Sequence, residues 1–153
     1  MELREIKSKI DGALNELYAI DLFLIENNLC ERSINHRFSM HLQTIFKNHF
    51  VDCEYNISHL NGENNPKVVS NIHGNYIDII VTKRDKNPKN DFLCFEVKKW
   101  NNTRGREKDV NNLIALTKGD RFCYKYGFYI IFGKNRQGTK IQVFKNGRNI
   151  ENE

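Results

Sequence analysis

Two apolar runs close together in the chain, Tyr76-Ile-Asp-Ile-Ile-Val81 and Phe92-Leu-Cys-Phe-Glu-Val-Lys-Lys99, restrict the fold more than anything else in it. Both are rich in β-branched and aromatic residues, and the polar stretch from Lys83 to Asn90 between them contains an Asn-Pro pair. They predict neighbouring strands joined by a surface hairpin turn. Each run carries an acidic residue where a strand covered on both faces would have none. Side chains alternate along a strand, so Glu96 and Lys98 project from one face and Phe95 and Val97 from the other. Asp78 interrupts an Ile-rich run, and a carboxylate there costs free energy unless a cation or hydrogen bonds satisfy it. Two carboxylates and a lysine converging across neighbouring strands would form a site for a hard divalent cation beside an ammonium group. The competing reading of Glu96 and Lys98 is a same-face salt bridge. Exposed pairs of that kind contribute below about 1 kcal/mol, and they rarely sit inside so apolar a run.

The flanking sequence supplies helices on both sides. Leu3, Ile6, Ile10, Leu14 and Leu17 recur at helical spacing, predicting an amphipathic packing helix from Glu2 to about Tyr18. Ile20 to Ile25 reads as a short helical turn or irregular connector. A second helix is predicted from Glu31 to Asn48, with Ile34, Phe38, Leu42, Ile45 and Phe46 inward. Val51 to Ile57 alternates as a half-buried strand in which Glu54 is a polar edge residue. Asn61 to Asn75 is rich in Asn and Gly and reads as loop or hairpin, with a short strand at Lys67–Ser70. Beyond the second organising strand, Trp100 is expected to cap the core. A helix follows from Arg106 to Thr117 with Val110, Leu113, Ile114 and Leu116 inward, stopped by Gly119. Phe122 to Phe132 predicts a strand, Gly133 to Gly138 a turn, Thr139 to Phe144 an edge strand, and Asn146 to Glu153 a frayed tail.

At 153 residues the chain is read as one domain with a real core. No stretch has the roughly 18 apolar residues of a membrane span, and Met1-Glu-Leu-Arg-Glu opens a charged helix and not a signal peptide. Cys30, Cys53, Cys94 and Cys123 form no Cys-x-x-Cys pair. They read as ordinary buried or half-buried thiols of a cytoplasmic protein, without zinc or disulfides. Net charge is uneven: residues 1–82 carry −4 and residues 83–153 carry +9. A basic half beside an acidic metal site suits a polyanionic substrate, although many solvated lysines would give the same balance.

The pattern of an aspartate on one strand and Glu-x-Lys on the next resembles the PD-(D/E)xK, or restriction-endonuclease-like, nuclease superfamily. The match is Asp78, Glu96 and Lys98, with Ile77 where the family name places proline. The resemblance covers most of the chain from Glu31 to Phe132. It implies an α/β fold with an αβββαβ core over residues 31–132, its central mixed sheet flanked by helices. Residues 1–28 would add an N-terminal helical extension, 139–145 a C-terminal edge strand and 146–153 a tail, within a single domain of residues 1–153. The implied activity is that of a Mg²⁺- or Mn²⁺-dependent endonuclease acting on DNA. Asp78 and Glu96 would bind the metal directly, the backbone carbonyl of Val97 would be a third ligand, and Lys98 would orient or help deprotonate the attacking water. A lysine beside a cation has its pKa pushed down, which fits proton transfer. Glu31 is either a helix-dipole partner or, as the family's helix glutamate often is, a third carboxylate on the metal. The passage Glu31-Arg-Ser-Ile-Asn-His-Arg37 resembles that helix in small bacterial members. His36, Arg37, Lys99, Arg104, Arg106 and Lys108 are candidate phosphate contacts, giving affinity without sequence reading. A homodimer or partner subunit is expected for cutting both strands. Two other classes stay open: a non-cleaving nucleic-acid-binding module and a protein-interaction subunit on the same fold.

Overall fold

The computed structural model describes residues 1–56, 76–84, 92–119 and 122–150. The chain opens with helix α1 (Leu3–Ile20), a short helix α2 (Leu22–Glu26) and helix α3 (Glu31–Ile45). Strands β1 (Phe50–Asn56), β2 (Tyr76–Thr82) and β3 (Leu93–Lys99) follow, then helix α4 (Arg106–Thr117). Strand β4 (Tyr126–Phe132), a 3-10 turn at Arg136–Gly138, and strands β5 (Lys140–Lys145) and β6 (Arg148–Asn149) complete it. Among the described residues these six strands form one mixed sheet in sequence order. Every pair is antiparallel except β3 and β4, which run parallel with α4 as the crossover between them. The protein is therefore of the α/β class. Among the described residues no helix is long and apolar enough to cross a membrane.

Two cores cover the sheet. On one face α1 and α3 pack Ile6, Ile10, Leu14, Leu17, Ile34 and Phe38 against Phe95, Val97, Phe128 and Ile130. On the other, Leu113 and Leu116 of α4 pack against Ile80, Cys94, Tyr129 and Phe144. Phe95 and Val97 thus face the helical pair, and Glu96 and Lys98 turn toward α4, as the alternation predicts. The strand they share is buried except toward its end, from Lys98 onward. Trp100 is half-buried against the core, its N–H bonded to the Phe132 carbonyl.

Several boundaries differ from expectation, each for a local reason. Helix α3 stops at Ile45 and not Asn48. Phe46 leaves the helix (φ −91°, ψ 55°) to bury its ring against Phe92, 6.1 Å between centroids, and Gln43 receives the Val51 N–H that starts β1. Strand β4 begins at Tyr126 and not Phe122, because the Tyr124 N–H is taken by Leu116 at the end of α4. The tail is not frayed throughout: Asn146 (φ 51°) and Gly147 (φ 71°) make a two-residue hairpin turn that returns Arg148 and Asn149 to β5. Positive φ at both turn residues is what Asn-Gly supplies. Gly119 (φ 89°) lies just beyond α4, as expected of a helix stop. All four cysteines are free, but Cys30 is exposed where a buried or half-buried thiol is expected, since it sits at the N-cap of α3. The expected strand at Lys67–Ser70 and most of the Lys83–Asn90 turn lie outside the described residues.

Candidate active site

Asp78 marks a place where β1 and β2 change the face they present. Val51 and Cys53 of β1 and Ile79 and Val81 of β2 pack toward α1 and α3, whereas Tyr55 and Ile77 pack toward α4. Strict alternation would keep all of them on one side. The switch falls between the Cys53–Ile79 and Tyr55–Ile77 pairs of the β1–β2 register, where Glu54 has φ 47° and Asp78 lies on the other strand. Strand β3 does not switch. Its ladder with β2 consequently ends at Ile79 and Phe95, and the Asp78 carboxylate enters the gap to accept the Val97 N–H at 2.9 Å. In a strand the N–H and C=O of one residue point the same way, so the Val97 carbonyl also faces the gap.

Glu96 lies beside Asp78, and the two carboxyls act on each other's titration. Only 3% of Glu96 is exposed. Burial first, and then the Asp78 charge, hold its pKa well above the usual carboxylate range. Asp78 is also raised, by burial, although the Val97 N–H and Lys98 work against the rise. Asn112 of α4 donates to Glu96 Oε1 at 2.9 Å. Lys98 Nζ lies 3.2 Å from Asp109 Oδ2, also on α4, and 3.7 Å from Glu31 Oε1. The Lys98 ammonium is held above the usual lysine range. Burial pulls it down, but the carboxylates of Asp109 and Glu31 outweigh burial. Tyr129 stands next to Glu96 in the β3–β4 register. Its hydroxyl is buried without a partner among the described residues and is pushed up to about 12 by burial and by Asp109. The amide oxygen of Asn35, one turn beyond Glu31 on α3, is likewise buried and unpartnered among them.

Glu31 heads α3 and ties it to the end of β3. Its Oε2 accepts the Lys99 N–H at 2.8 Å, and both oxygens receive Asn102 Nδ2, at 3.1 and 3.3 Å. Lys99 donates its ammonium to Asn28 and to the Leu29 carbonyl, so it fastens the loop before α3. Arg106 donates to the carbonyls of Asn102 and Trp100. Arg37 is bound to Asp21 at 2.7 Å, at the corner of α1 and α2. His36, Arg104 and Lys108 are exposed. The structure thus brings Asp78, Glu96, Lys98 and Glu31 together, with Val97 between them, and gives Lys99, Arg106 and Arg37 partners within the fold. Glu54 is exposed and paired with Arg32. Asp109, Asn112 and Tyr129 were not singled out from the sequence. Extending the Leu113–Leu116 stripe back one helical turn reaches Asp109 and Asn112, and that signal could have found the first two.

The donor set suits a hard cation. Two carboxyls pressed together in a buried gap cannot both ionise cheaply, and a divalent ion could offset the charge of both. Asp78, Glu96 and the Val97 carbonyl are oxygen donors of the kind that Mg²⁺ accepts while keeping several waters. Among the described residues no three His, Cys, Asp or Glu side chains gather as a full ligand set, so any such ion would take the rest of its shell from backbone, water and substrate. No protein-family model, curated protein or solved structure matches the chain.

Proposed function

We propose that this protein is a metal-dependent nuclease that hydrolyses phosphodiester bonds of DNA, built on a restriction-endonuclease-like αβββαβ core. The observation that carries the reading is the Asp78 carboxylate displaced into the β2–β3 gap against Glu96, with Lys98 two residues further along the same face. Asp78, Glu96 and the Val97 carbonyl would hold Mg²⁺ or Mn²⁺. When bound, that ion would supply Lewis acidity and a water made nucleophilic near neutral pH. Lys98 would orient or help deprotonate the attacking water, and its ammonium would offset negative charge gathering on the phosphate. Exposed Arg104 and Lys108, on the loop and helix beyond β3, would hold flanking phosphates. Glu31 would support the site chiefly by fixing the end of β3, with its Oε1 also toward Lys98.

The test is cleavage of supercoiled plasmid and single-stranded DNA with Mg²⁺ or Mn²⁺, with and without EDTA, by the unaltered protein, Glu96→Ala and Lys98→Ala. Metal-dependent cutting that both substitutions abolish is the expected result. A folded protein that binds DNA at low salt and cuts neither substrate would replace the nuclease reading with a binding module.

A further inference from the structure

We propose that α4 carries two positioning residues, Asp109 and Asn112, which hold Lys98 and Glu96 in register for the reaction. The inference rests on the nuclease reading and extends it to a helix that reading does not use. The buried face of α4 runs through Asp109, Asn112, Leu113, Leu116 and Thr117, the spacing of one helical stripe. Leucine fills the middle of the stripe, where closing the sheet is enough. At the end nearest the gap the chain instead buries an aspartate, 6% exposed, and an asparagine, 1% exposed, which is unfavourable unless their partners are fixed.

Those partners are the two β3 residues proposed for the chemistry. Asp109 meets Lys98 at 3.2 Å and Asn112 meets Glu96 at 2.9 Å. The order is reversed between helix and strand, as it must be for a crossover helix returning antiparallel to the strand it follows. Residues three apart on a helix rise about 4.5 Å, and residues two apart on a strand about 6.7 Å, a difference the side chains span. Asp109 in the first turn of α4 is also favoured by the helix dipole, but the dipole does not account for Asn112. Nor does Glu31 make Asp109 redundant. Its oxygens already receive the Lys99 N–H and Asn102, which leaves Asp109 as the nearer carboxylate to the ammonium.

Purely structural polar contacts would predict lost stability and nothing specific to catalysis. The test therefore combines steady-state cleavage with Mn²⁺ binding by titration calorimetry on the full chain. Asp109→Asn should lower kcat about 10–100-fold with KM and Mn²⁺ affinity unchanged, and Asn112→Ala should weaken Mn²⁺ binding about 10–100-fold. Asp109→Glu should recover part of the lost kcat. Variants that melt cooperatively and match the unaltered protein in kcat and Mn²⁺ affinity overturn the inference while leaving the nuclease reading standing. An unaltered protein that neither binds Mn²⁺ nor cuts DNA overturns both.

Discussion

Glu96→Gln separates what this carboxyl costs the fold from what it would do in the reaction. Burial and the neighbouring Asp78 raise Glu96 well above its ordinary value of 4.5, so the folded, metal-free protein retains a proton that the unfolded chain releases. A raised folded pKa means that stability is fully present below 4.5 and declines as pH climbs toward the folded value. Within that window each pH unit costs about 1.4 kcal/mol. Glutamine keeps the shape: its amide donates to Asp78, its oxygen accepts from Asn112, and it has no proton to release. The advantage of Glu96→Gln should start near zero around pH 4.5 and grow, by up to about 1.4 kcal/mol per unit or about 3–6 °C in melting temperature for a domain of this size, until pH reaches the folded value. Thermal melts at pH 5, 6 and 7 in EDTA measure it. Added Mg²⁺ should then raise the melting temperature of the unaltered protein and not that of the variant. A variant less stable than its parent at pH 7, or an advantage that stays flat from pH 5 to 7, would refute the account of the gap.

Three further outcomes follow from the packing. Phe38→Ala removes a fully buried ring set edge-on against Phe95 and Phe132, at 6.2 and 5.5 Å. It should lower stability to urea by about 3–5 kcal/mol, and a loss under about 1 kcal/mol would contradict the described core. Burial pushes Asp21 up, but hydrogen bonds with His41 and Arg37, both 2.7 Å, outweigh it and hold the carboxyl below the usual range. Its contribution is therefore present above the ordinary value of 3.8 and lost as pH falls through the folded one. Asp21→Asn should lower the urea midpoint at pH 6 and converge with the parent at pH 3, whereas a deficit that is the same at both would discount the ion pair. Gly133→Ala would bring a Cβ within 2.4 Å of the Gly138 backbone. The turn between β4 and β5 must shift, at a cost of about 1–3 kcal/mol by denaturant titration.

The alternation of Phe95 and Val97 against Glu96 and Lys98 was legible in the sequence because a period of two leaves no freedom once β3 is a strand. The helix-strand order was legible for a similar reason, since each element carries its own periodicity. The Asn146-Gly147 turn is equally readable, since Asn-Gly is the pair a two-residue hairpin turn requires, although a polar tail by itself suggests fraying. The role of Asp109 and Asn112 was not plain, because acidic and amide residues near a helix start usually face water or cap the helix. Their burial depends on the crossover that lays α4 over β3. The change of face at Glu54 and Asp78 was hidden altogether. It is a backbone event at a non-glycine residue, and local sequence gives it no marker.

The bond from Glu31 to the Lys99 N–H closes a loop of 68 residues. Most other contacts of the sheet join neighbours in sequence order, whereas this one waits until the first helices and the third strand have both formed and met. Loop closure opposes a pairing between segments so far apart in sequence until the intervening elements draw them together. Under the proposed function the newly made chain would remain harmless to nucleic acid until that meeting occurs. Cutting ability would then report completed folding more sharply than helix content or compactness does.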